Sequence, residues 1–466
     1  MLYVGSINEQ RAKHVNDWKN SILLSSVLLA GCASYRTEPL SNETSLLDTN
    51  AVQVAANSFL HSLLPSVEFN LSDGLSADEV AIWAVLGNPR LQVVRDRRGV
   101  AQSQVLQAGL LPNPSLSAGF EVPTGGNSGG KVTGYGLGLD WKVSALISRN
   151  ARQDAATAHS DAVDLEVAWQ EWQVAEAARL HFARLGFAEK QLSLSQKQGV
   201  AAAQFYCATK RGLELGIYTK PELSVAEIAM QTAREAELDA LSAIKQERLA
   251  LNRVLGVPPQ TEILLNSEDW TFTKMPSIEG LMDCAMTNRL DLRALQLGYK
   301  SQESRVRAAV RSSFPKITLG LTGGHDTDGV KTLGAGIGIE LPFFDRNQGE
   351  IAAERATRKQ LADEYHARLF ETRMDLARLL ALLSTSEKKL GEVNRKIPLL
   401  KRQLAVLRQA QEAGQVNMQT VYFAEIRLFN QMFQQLELEQ KQVDLGLALE
   451  LASGRYNLMG EVSDEI

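Results

Sequence analysis

The amino-acid sequence predicts a mainly α-helical fold made of two copies of one unit, in which two β-strands lie between helices. Three observations lead to this fold class. Matching motifs recur about 200 residues apart, two segments of more than 60 residues contain at most one proline, and four shorter segments alternate apolar residues with small or polar ones. The strands are long enough to cross a bilayer, so the predicted fold is mainly α with a transmembrane β-barrel part.

The composition excludes several classes of protein. With 466 residues, 44% of them apolar, the chain can bury a large core. Its net charge of −5, without any Lys/Arg-rich run, argues against a nucleic-acid partner. The three cysteines form no CxxC pair and the six histidines are scattered, so we expect no metal centre and no cofactor. Motifs for nucleophile elbows, P-loops, HExxH sites and dinucleotide sites are missing, so an enzyme is not expected.

The N-terminal segment has the order of a bacterial export signal. Lys19 precedes an apolar run over residues 22–30, which is too short to span a bilayer as a helix, and a glycine and Cys32 follow. This order resembles a lipobox, in which the cysteine thiol is acylated and the chain is cut before it. We therefore predict a signal peptide over 1–32, lipidation at Cys32 and a polar tether over 33–73. The alternative is a buried apolar segment with a chance cysteine.

The rest of the chain is a duplication. Pro114-Ser115-Leu116 matches Pro315-Lys316-Ile317 at an offset of 201 residues, and glycine-rich stretches at 136–140 and 336–340 match at an offset of 200. Such matches along both halves predict two repeats with the same order of elements. The boundaries are 74–260 for the first repeat, 261–460 for the second and 461–466 for a short tail.

Each repeat is predicted to contain two short helices, a very long helix and a long return helix. Ser76 and Glu79 form a capping box at the start of the first short helix. Pro398 lies inside the second very long helix and should kink or restart it. Cys207 and Cys284 lie on helical stretches, where we expect buried thiols. The remaining spans are 90–109 for a short helix, 150–214 and 347–413 for the very long helices, and 221–255 and 418–458 for the return helices.

The four predicted strands have one apolar face and one glycine-rich face. Asp140 and Glu340 occupy matching places on the glycine-rich face, which would solvate them inside a barrel near one level. Four strands cannot close a barrel, and open strand edges do not survive in lipid, so three copies giving twelve strands would complete it. A ring of these acids would favour the passage of cations, and the alternative is that they are solvated luminal acids without any effect on ion flux. For the sheet itself, the alternative is a soluble sheet with one wet face. The predicted strands span about 114–123, 131–143, 315–323 and 331–343.

Local motifs add a family resemblance to this architecture. The first half contains Asn88-Pro89-Arg90-Leu91 and the stretch GLLPNPSL at 109–116, and the second half contains LPFFDRNQG at 341–349. With the duplication and the lipobox, these motifs resemble the TolC-type outer-membrane efflux channels. The last stretch is also similar to the outer-membrane lipoproteins of heavy-metal efflux systems.

The resemblance implies a structure, a location and partners. The structure is a homotrimeric 12-stranded β-barrel in the outer membrane of a Gram-negative bacterium, continued by a long periplasmic α-helical barrel. Such a channel is passive and conducts what an inner-membrane pump expels through a periplasmic adaptor. The resemblance implies a pump of the resistance–nodulation–division type and outer-membrane lipid around the barrel. Heavy-metal cations are the candidate cargo.

The resemblance also assigns the two turns between the long helices as adaptor-docking tips. Glycine suits their sharp stops, and Thr219 and Asn417 suit the starts of the return helices. Where the family often has aspartates past the second tip, this chain has Thr420 and Phe423. The assigned tip residues are Gly216, Ile217, Tyr218, Thr219, Gly414, Gln415, Val416 and Asn417, and the candidate gate acids are Glu222, Glu227 and Glu425.

Each gate acid also has a structural interpretation. Glu222 stands where a capping box with Thr219 would place it. Glu227 and Glu425 suit solvated or helix-paired faces. For the whole chain, the competing interpretation is a periplasmic coiled-coil adaptor or another lipid-anchored interaction protein, which would also have long helices and a lipobox. An adaptor contains one helical hairpin between small β-domains, whereas this sequence predicts two hairpins and four membrane-length strands.

Overall fold

The structure is a computed structural model that describes residues 35–40, 74–126, 129–266, 270 and 277–455. Residues 35–40 belong to a separate N-terminal unit and have no regular secondary structure. The predicted signal peptide, Cys32, most of the predicted tether and the C-terminal tail lie outside the described residues.

The larger unit contains two repeats with the same order of elements, which confirms the predicted duplication. In both, two helices precede a strand pair and two long helices follow it. The first repeat consists of α1 (Ala77–Gly87), α2 (Pro89–Gly109), β1 (Ser115–Glu121), β2 (Gly134–Lys142), α3 (Ala145–Glu214) and α4 (Lys220–Leu255). The second consists of α5 (Ile278–Asn288), α6 (Leu290–Arg311), β3 (Lys316–His325), β4 (Lys331–Glu340), α7 (Gln348–Glu412) and α8 (Met418–Ser453).

Local sequence explains most of these boundaries. The amide of Ser76 donates to Glu79 Oε2 at 2.8 Å and the amide of Glu79 donates to Ser76 Oγ at 3.3 Å, so the predicted capping box starts α1. The 70 residues of α3 form one helix about 105 Å long. The prediction of a restart at Pro398 is wrong, because α7 is continuous through it. Pro398 and Asn394 are both exposed, so water can reach the Asn394 carbonyl that has lost its helical donor.

Two other expectations need correction. Cys207 is exposed and Cys284 is half-buried, so the prediction of buried thiols is wrong for Cys207. Phe205, two residues earlier, is buried, and helical periodicity places Cys207 on the opposite side of α3. The sequence alone does not fix which side packs. β3 also extends to His325, two residues beyond the predicted end of that strand at 323.

The four strands form one antiparallel sheet in the order β1-β2-β3-β4. Ser115 faces Asp140 across β1 and β2, Asp140 faces Gly320 across β2 and β3, and Lys316 faces Glu340 across β3 and β4. This register confirms the two predicted faces, because directly opposed residues share a face. The apolar face is exposed along all four strands, at Leu116, Phe120, Tyr135, Leu137, Leu139, Leu319, Leu321, Leu333, Ile337 and Ile339.

The long helices form a layer in the order α4-α3-α8-α7. α3 packs against both α4 and α8, and α8 packs against α7. The largest core lies where α1 enters between α3 and α4, with Trp83, Phe182 and Leu255 almost fully buried. Over the described ranges, no helix combines the length and the apolar character needed to cross a bilayer.

A charged cluster is buried where α1, α3 and α8 meet. Arg179 is 2% exposed, and its guanidinium pairs with Glu450 and, at 3.1 Å, with Glu176. Asp78 on α1 lies 3.7 Å from the Arg179 Nε. Burial raises the pKa of Glu176 to about 8, although the charge of Arg179 opposes the shift. The cluster therefore links the helices of both repeats through one buried cation.

The repeats are closed at their ends by equivalent contacts that use different side chains. In the first repeat, Asn88 Nδ2 donates to the carbonyl of Val254 at 2.8 Å. In the second, Arg289 Nη1 donates to the carbonyl of Ala452 at 3.2 Å. Arg289 stands 201 residues after Asn88, and Ala452 stands 198 residues after Val254. The duplication has thus kept the acceptor position while the donor residue has changed.

Candidate functional site

The two turns between long helices have the same backbone conformation. At the first tip the amide of Ile217 donates to the Gly212 carbonyl at 2.8 Å and that of Gly216 to Leu213 at 3.0 Å. At the second, Gln415 donates to Ala410 at 2.8 Å and Gly414 to Gln411 at 2.9 Å. This pair of bonds is the Schellman motif, and the left-handed residue it requires is Gly216 (φ 73°) or Gly414 (φ 70°).

Tyr218 packs at the first tip against a helical glycine that the sequence did not single out. A Cβ atom on Gly212 would lie 2.2 Å from Tyr218 Cδ2, so the ring occupies the space that a side chain would need. The Tyr218 hydroxyl accepts from the amide of Met418 at 3.4 Å, at the start of α8. Tyr218 therefore connects the two tips. The pairing of a tyrosine with a glycine six residues earlier is the signal that could have identified it.

The second tip is held by the start of α8. Asn417 Oδ1 accepts from the amide of Thr420 at 2.9 Å and also from its hydroxyl at 2.7 Å, which confirms Asn417 as the N-cap. One turn further, Tyr422 is 3% exposed and stacks on Phe205 of α3 with ring centroids 4.4 Å apart. Burial, followed by the nearby charge of Glu425, raises the pKa of the Tyr422 phenol. Phe205 and Tyr422 were not predicted as tip residues, since only the fold brings α3 and α8 together.

The three candidate gate acids have different surroundings. Glu222 accepts from the amide of Thr219 at 2.7 Å and from its hydroxyl at 2.8 Å, and these bonds lower the pKa of Glu222. Glu222 is therefore the capping-box residue of α4. Glu425 is 8% exposed and pairs with Arg408 of α7, whereas Glu227 is exposed. The duplicated acids Glu227 and Glu425 therefore have unequal environments.

Asp140 and Glu340 lie on the same glycine-rich face, but the strand register does not place them opposite each other. Asp140 aligns across the sheet with Gly320 and then with Gly336. Glu340 aligns with Lys316, whose Nζ lies 3.1 Å from Glu340 Oε1. Lys316, which no sequence pattern singles out as a site residue, belongs to the same face and neutralises Glu340. Lys142, two residues after Asp140, adds a second cation to that face.

In the part of the chain that the structure describes, no group of three or more His, Cys, Asp or Glu side chains is placed to hold a metal ion.

Comparison with known proteins agrees with this geometry. The family model described as outer membrane efflux protein matches residues 84–257 and 281–455, one match in each repeat. The cobalt-zinc-cadmium resistance protein CzcC of Cupriavidus metallidurans is 21% identical over 325 residues, covering 69% of this chain and 75% of that protein. The crystal structure of CusC superposes with a TM-score of 0.68 at 17% identity, covering 85% of this chain and 98% of CusC. The outer membrane protein VceC of Vibrio cholerae gives 0.67 at 17% identity, with 81% and 96% coverage.

An amphipathic sheet joined to two long helical hairpins is the architecture of an outer-membrane channel subunit, and the structural matches share it. The chain belongs to the outer membrane efflux protein family. It is located in the outer membrane and acts there as an efflux channel, so the adaptor interpretation is not correct. Channels of this family work in tripartite systems with an adaptor and an inner-membrane pump.

Proposed function

We propose that three copies of this chain form one closed duct. Their sheets would make a 12-stranded barrel in the outer membrane, and their helical layers would make the periplasmic part. The observation that carries the proposal is the sheet. One face is apolar and exposed, the other is glycine-rich and polar, and both β1 and β4 have an open edge. In lipid such edges must pair, and further copies of the chain supply matching strands.

The helical tips are the proposed docking surface for a periplasmic adaptor. Leu215 and Ile217 are each 69% exposed at the first tip, on a turn whose backbone is fixed by its hydrogen bonds. A rigid turn that presents apolar side chains suits a partner with its own helical turn. The adaptor would connect the duct to a pump of the resistance–nodulation–division type. The duct itself is passive, and we assign it no catalytic role.

Divalent heavy-metal cations are the proposed cargo. CzcC is a cobalt-zinc-cadmium resistance protein by name, and it is 21% identical to this chain over 325 residues. The LPFFDRNQG stretch supports the same assignment through its resemblance to heavy-metal efflux lipoproteins.

Two measurements test the duct and its cargo. The detergent-purified full chain should have the mass of three copies and conduct ions in planar bilayers. Deletion of its gene should lower resistance to cobalt, zinc or cadmium at least tenfold, with little change for lipophilic drugs. A monomeric particle that does not conduct would contradict the duct, and a loss of drug resistance alone would contradict the cargo.

Lipidation at Cys32 is a separate part of the proposal. A Cys32→Ser variant should remain unprocessed and should not incorporate labelled palmitate, because serine cannot form the thioether to lipid. Cys207→Ser is the matched control, since that cysteine is exposed on α3 and should leave labelling unchanged. Wild-type processing and labelling of Cys32→Ser would show that the anchor lies elsewhere.

A further inference from the structure

The duplication relates the two strand hairpins residue by residue. Ser115 faces Asp140 in the first hairpin, and Lys316 faces Glu340 in the second. These pairs are separated by 201 residues between β1 and β3 and by 200 residues between β2 and β4, the offsets at which the sequences match. Sequence alignment and strand register therefore give the same equivalence, and it can be applied to any position of the sheet.

Within the described sheet the two repeats meet where β2 pairs with β3, and we call this pairing the internal seam. Asp140 faces Gly320 across this seam. A Cβ atom on Gly320 would lie 2.9 Å from Asp140 Oδ1, so this glycine makes room for the carboxylate of the opposing strand.

β4 and β1 are the two open edges, and the duplication makes them the equivalent of β2 and β3. We propose that β4 pairs with β1 of the next copy in the register of the internal seam, so that Glu340 faces Gly119 of the next copy. This register follows by moving Asp140 forward by 200 residues and Gly320 back by 201. The inference rests on the proposed closed ring of copies and adds the register in which they meet.

Gly119 is compatible with this register, because among the described residues no atom lies within 4 Å of the place where its Cβ would be. Glycine in the middle of a strand weakens it and often marks a close approach of another group. In the proposed seam Gly119 leaves space beside Glu340, whose carboxylate also contacts Lys316 of its own chain, as Gly320 leaves space beside Asp140. The register also keeps like faces together, because Ile339 then meets Phe120 on the apolar face.

The segment after β4 allows the same pairing to continue beyond the strand. In the internal seam the amide of Val143 donates to the Ile317 carbonyl at 3.0 Å. The equivalent residue of β4 is Phe343, whose amide donates at 2.9 Å to Leu341 of its own chain. Backbone N–H groups point to alternate sides along a strand. Since the Phe343 N–H would point toward the seam, the N–H that Pro342 lacks would have pointed away from it. Pairing between β4 and β1 of the next copy can therefore continue past Pro342. The amide of Phe343 would then donate to the carbonyl of Leu116 of the next copy instead of to that of Leu341.

Cysteine cross-linking tests the register in the full chain in its membrane, with Cys207→Ser and Cys284→Ser as background. Glu340→Cys combined with Gly119→Cys should form a disulfide between copies, since directly opposed residues at a non-hydrogen-bonded pair have Cα atoms about 4.5 Å apart. Denaturing electrophoresis without reductant should show linked species of up to three chains. The matched control is Asp140→Cys with Gly320→Cys, which should link within one chain and leave its mass unchanged.

Two slipped pairs define the outcome that would overturn the register. Glu340→Cys with Ser117→Cys, and Glu340→Cys with Glu121→Cys, should link at least tenfold less than the pair with Gly119→Cys. Stronger linking of either slipped pair would show that copies meet in another register, and the proposed duct would stand. A third outcome combines three results: the internal control links, no pair links between copies, and the particle is a monomer. That outcome would show that both the register and the duct are wrong.

A substitution pair tests the same contact without cysteine. Gly119→Val should lower the temperature at which the oligomer dissociates, because valine would occupy the space assigned to Glu340. Adding Glu340→Ala should restore it. Gly136→Val is the matched control, since a Cβ atom there also has nothing within 4 Å but β2 is not an edge strand. Equal losses for both glycines, without rescue by Glu340→Ala, would overturn the register.

Discussion

The two helical tips share a backbone and differ in the side chains at equivalent positions. Gly212, Tyr218 and Ser224 of the first tip correspond, 198 residues later, to Ala410, Val416 and Tyr422 of the second. The first tip contributes Tyr218, which reaches the start of α8, and the second contributes Tyr422, which stacks on Phe205 of α3. Both aromatic contacts thus join the first hairpin to α8.

This difference separates two structural roles of the duplicated tips, which are to form the turn and to hold the two hairpins together. The Schellman turns are equal because hydrogen bonds and a left-handed glycine specify the backbone. The contacts between hairpins are unequal because each tip faces a different neighbour within the chain. We therefore expect changes to the turns to affect both tips alike, and changes to the aromatic contacts to affect mainly α8.

The largest effect should follow from changing both turns. Valine at Gly216 and Gly414 must adopt positive φ at a cost of about 1–2 kcal/mol per site, so Gly216→Val with Gly414→Val should distort both tips. Metal resistance should fall at least tenfold while the oligomer persists. Gly391→Val, at a helical glycine with open space around it, is the control. Normal resistance of the double variant would place adaptor docking elsewhere.

The next effect should come from the buried ring of the second tip. Tyr422→Ala removes a nearly buried side chain stacked on Phe205 and should cost about 3 kcal/mol, or about a hundredfold in local opening. Limited proteolysis of α8 near Met418 measures this opening. Ser224→Ala, the equivalent change at the first tip, should stay within about 0.5 kcal/mol of wild type. Equal sensitivity of the two variants would contradict the assigned asymmetry.

A smaller effect is expected at Gly212. Gly212→Ala must displace Tyr218 at a cost of about 1–3 kcal/mol, and better helix propensity returns roughly 1 kcal/mol. Gly199→Ala, also on α3 but with open space around it, should only gain stability. The difference between the two variants, measured by hydrogen exchange at the start of α8, isolates the Tyr218 contact. Identical exchange would show that Tyr218 does not hold α8.

The smallest effect concerns the duplicated acids. Glu425→Gln weakens the pair with Arg408, whose side chain is 59% exposed, so solvent screening limits the cost to about 0.5–1 kcal/mol. Glu227→Gln changes an exposed residue and should be neutral within about 0.5 kcal/mol. Thermal unfolding of the helical part compares them. A larger loss of stability for Glu227→Gln than for Glu425→Gln would contradict the environments assigned to the two acids.

Local and periodic features of this protein were predictable from its sequence. The capping boxes at Ser76 and Thr219, the positive φ of the tip glycines and the two faces of the sheet depend on residues a few positions apart. Because each sequence pattern occurs in both repeats, the order of helices and strands could be predicted.

Features that depend on contacts between distant elements were not predictable. Tyr422 meets Phe205 only because α3 and α8 become neighbours, and Lys316 neutralises Glu340 only in the register of β3 and β4. Exposure of Cys207 likewise depends on which side of α3 packs. The restart predicted at Pro398 does not occur, because tertiary packing overrides intrinsic propensity in this long helix.

The covalent link between β2 and β3 has a consequence for assembly kinetics. In the proposed ring of three chains, three seams lie inside chains and form as each chain folds, whatever the protein concentration. Only the three seams between β4 and β1 require encounters between molecules. The internal seam forms between two strands of one chain, so its formation does not depend on the concentration of the newly exported protein. Fusion of the repeats thus lowers the molecularity of ring closure from six to three and makes it less sensitive to dilution.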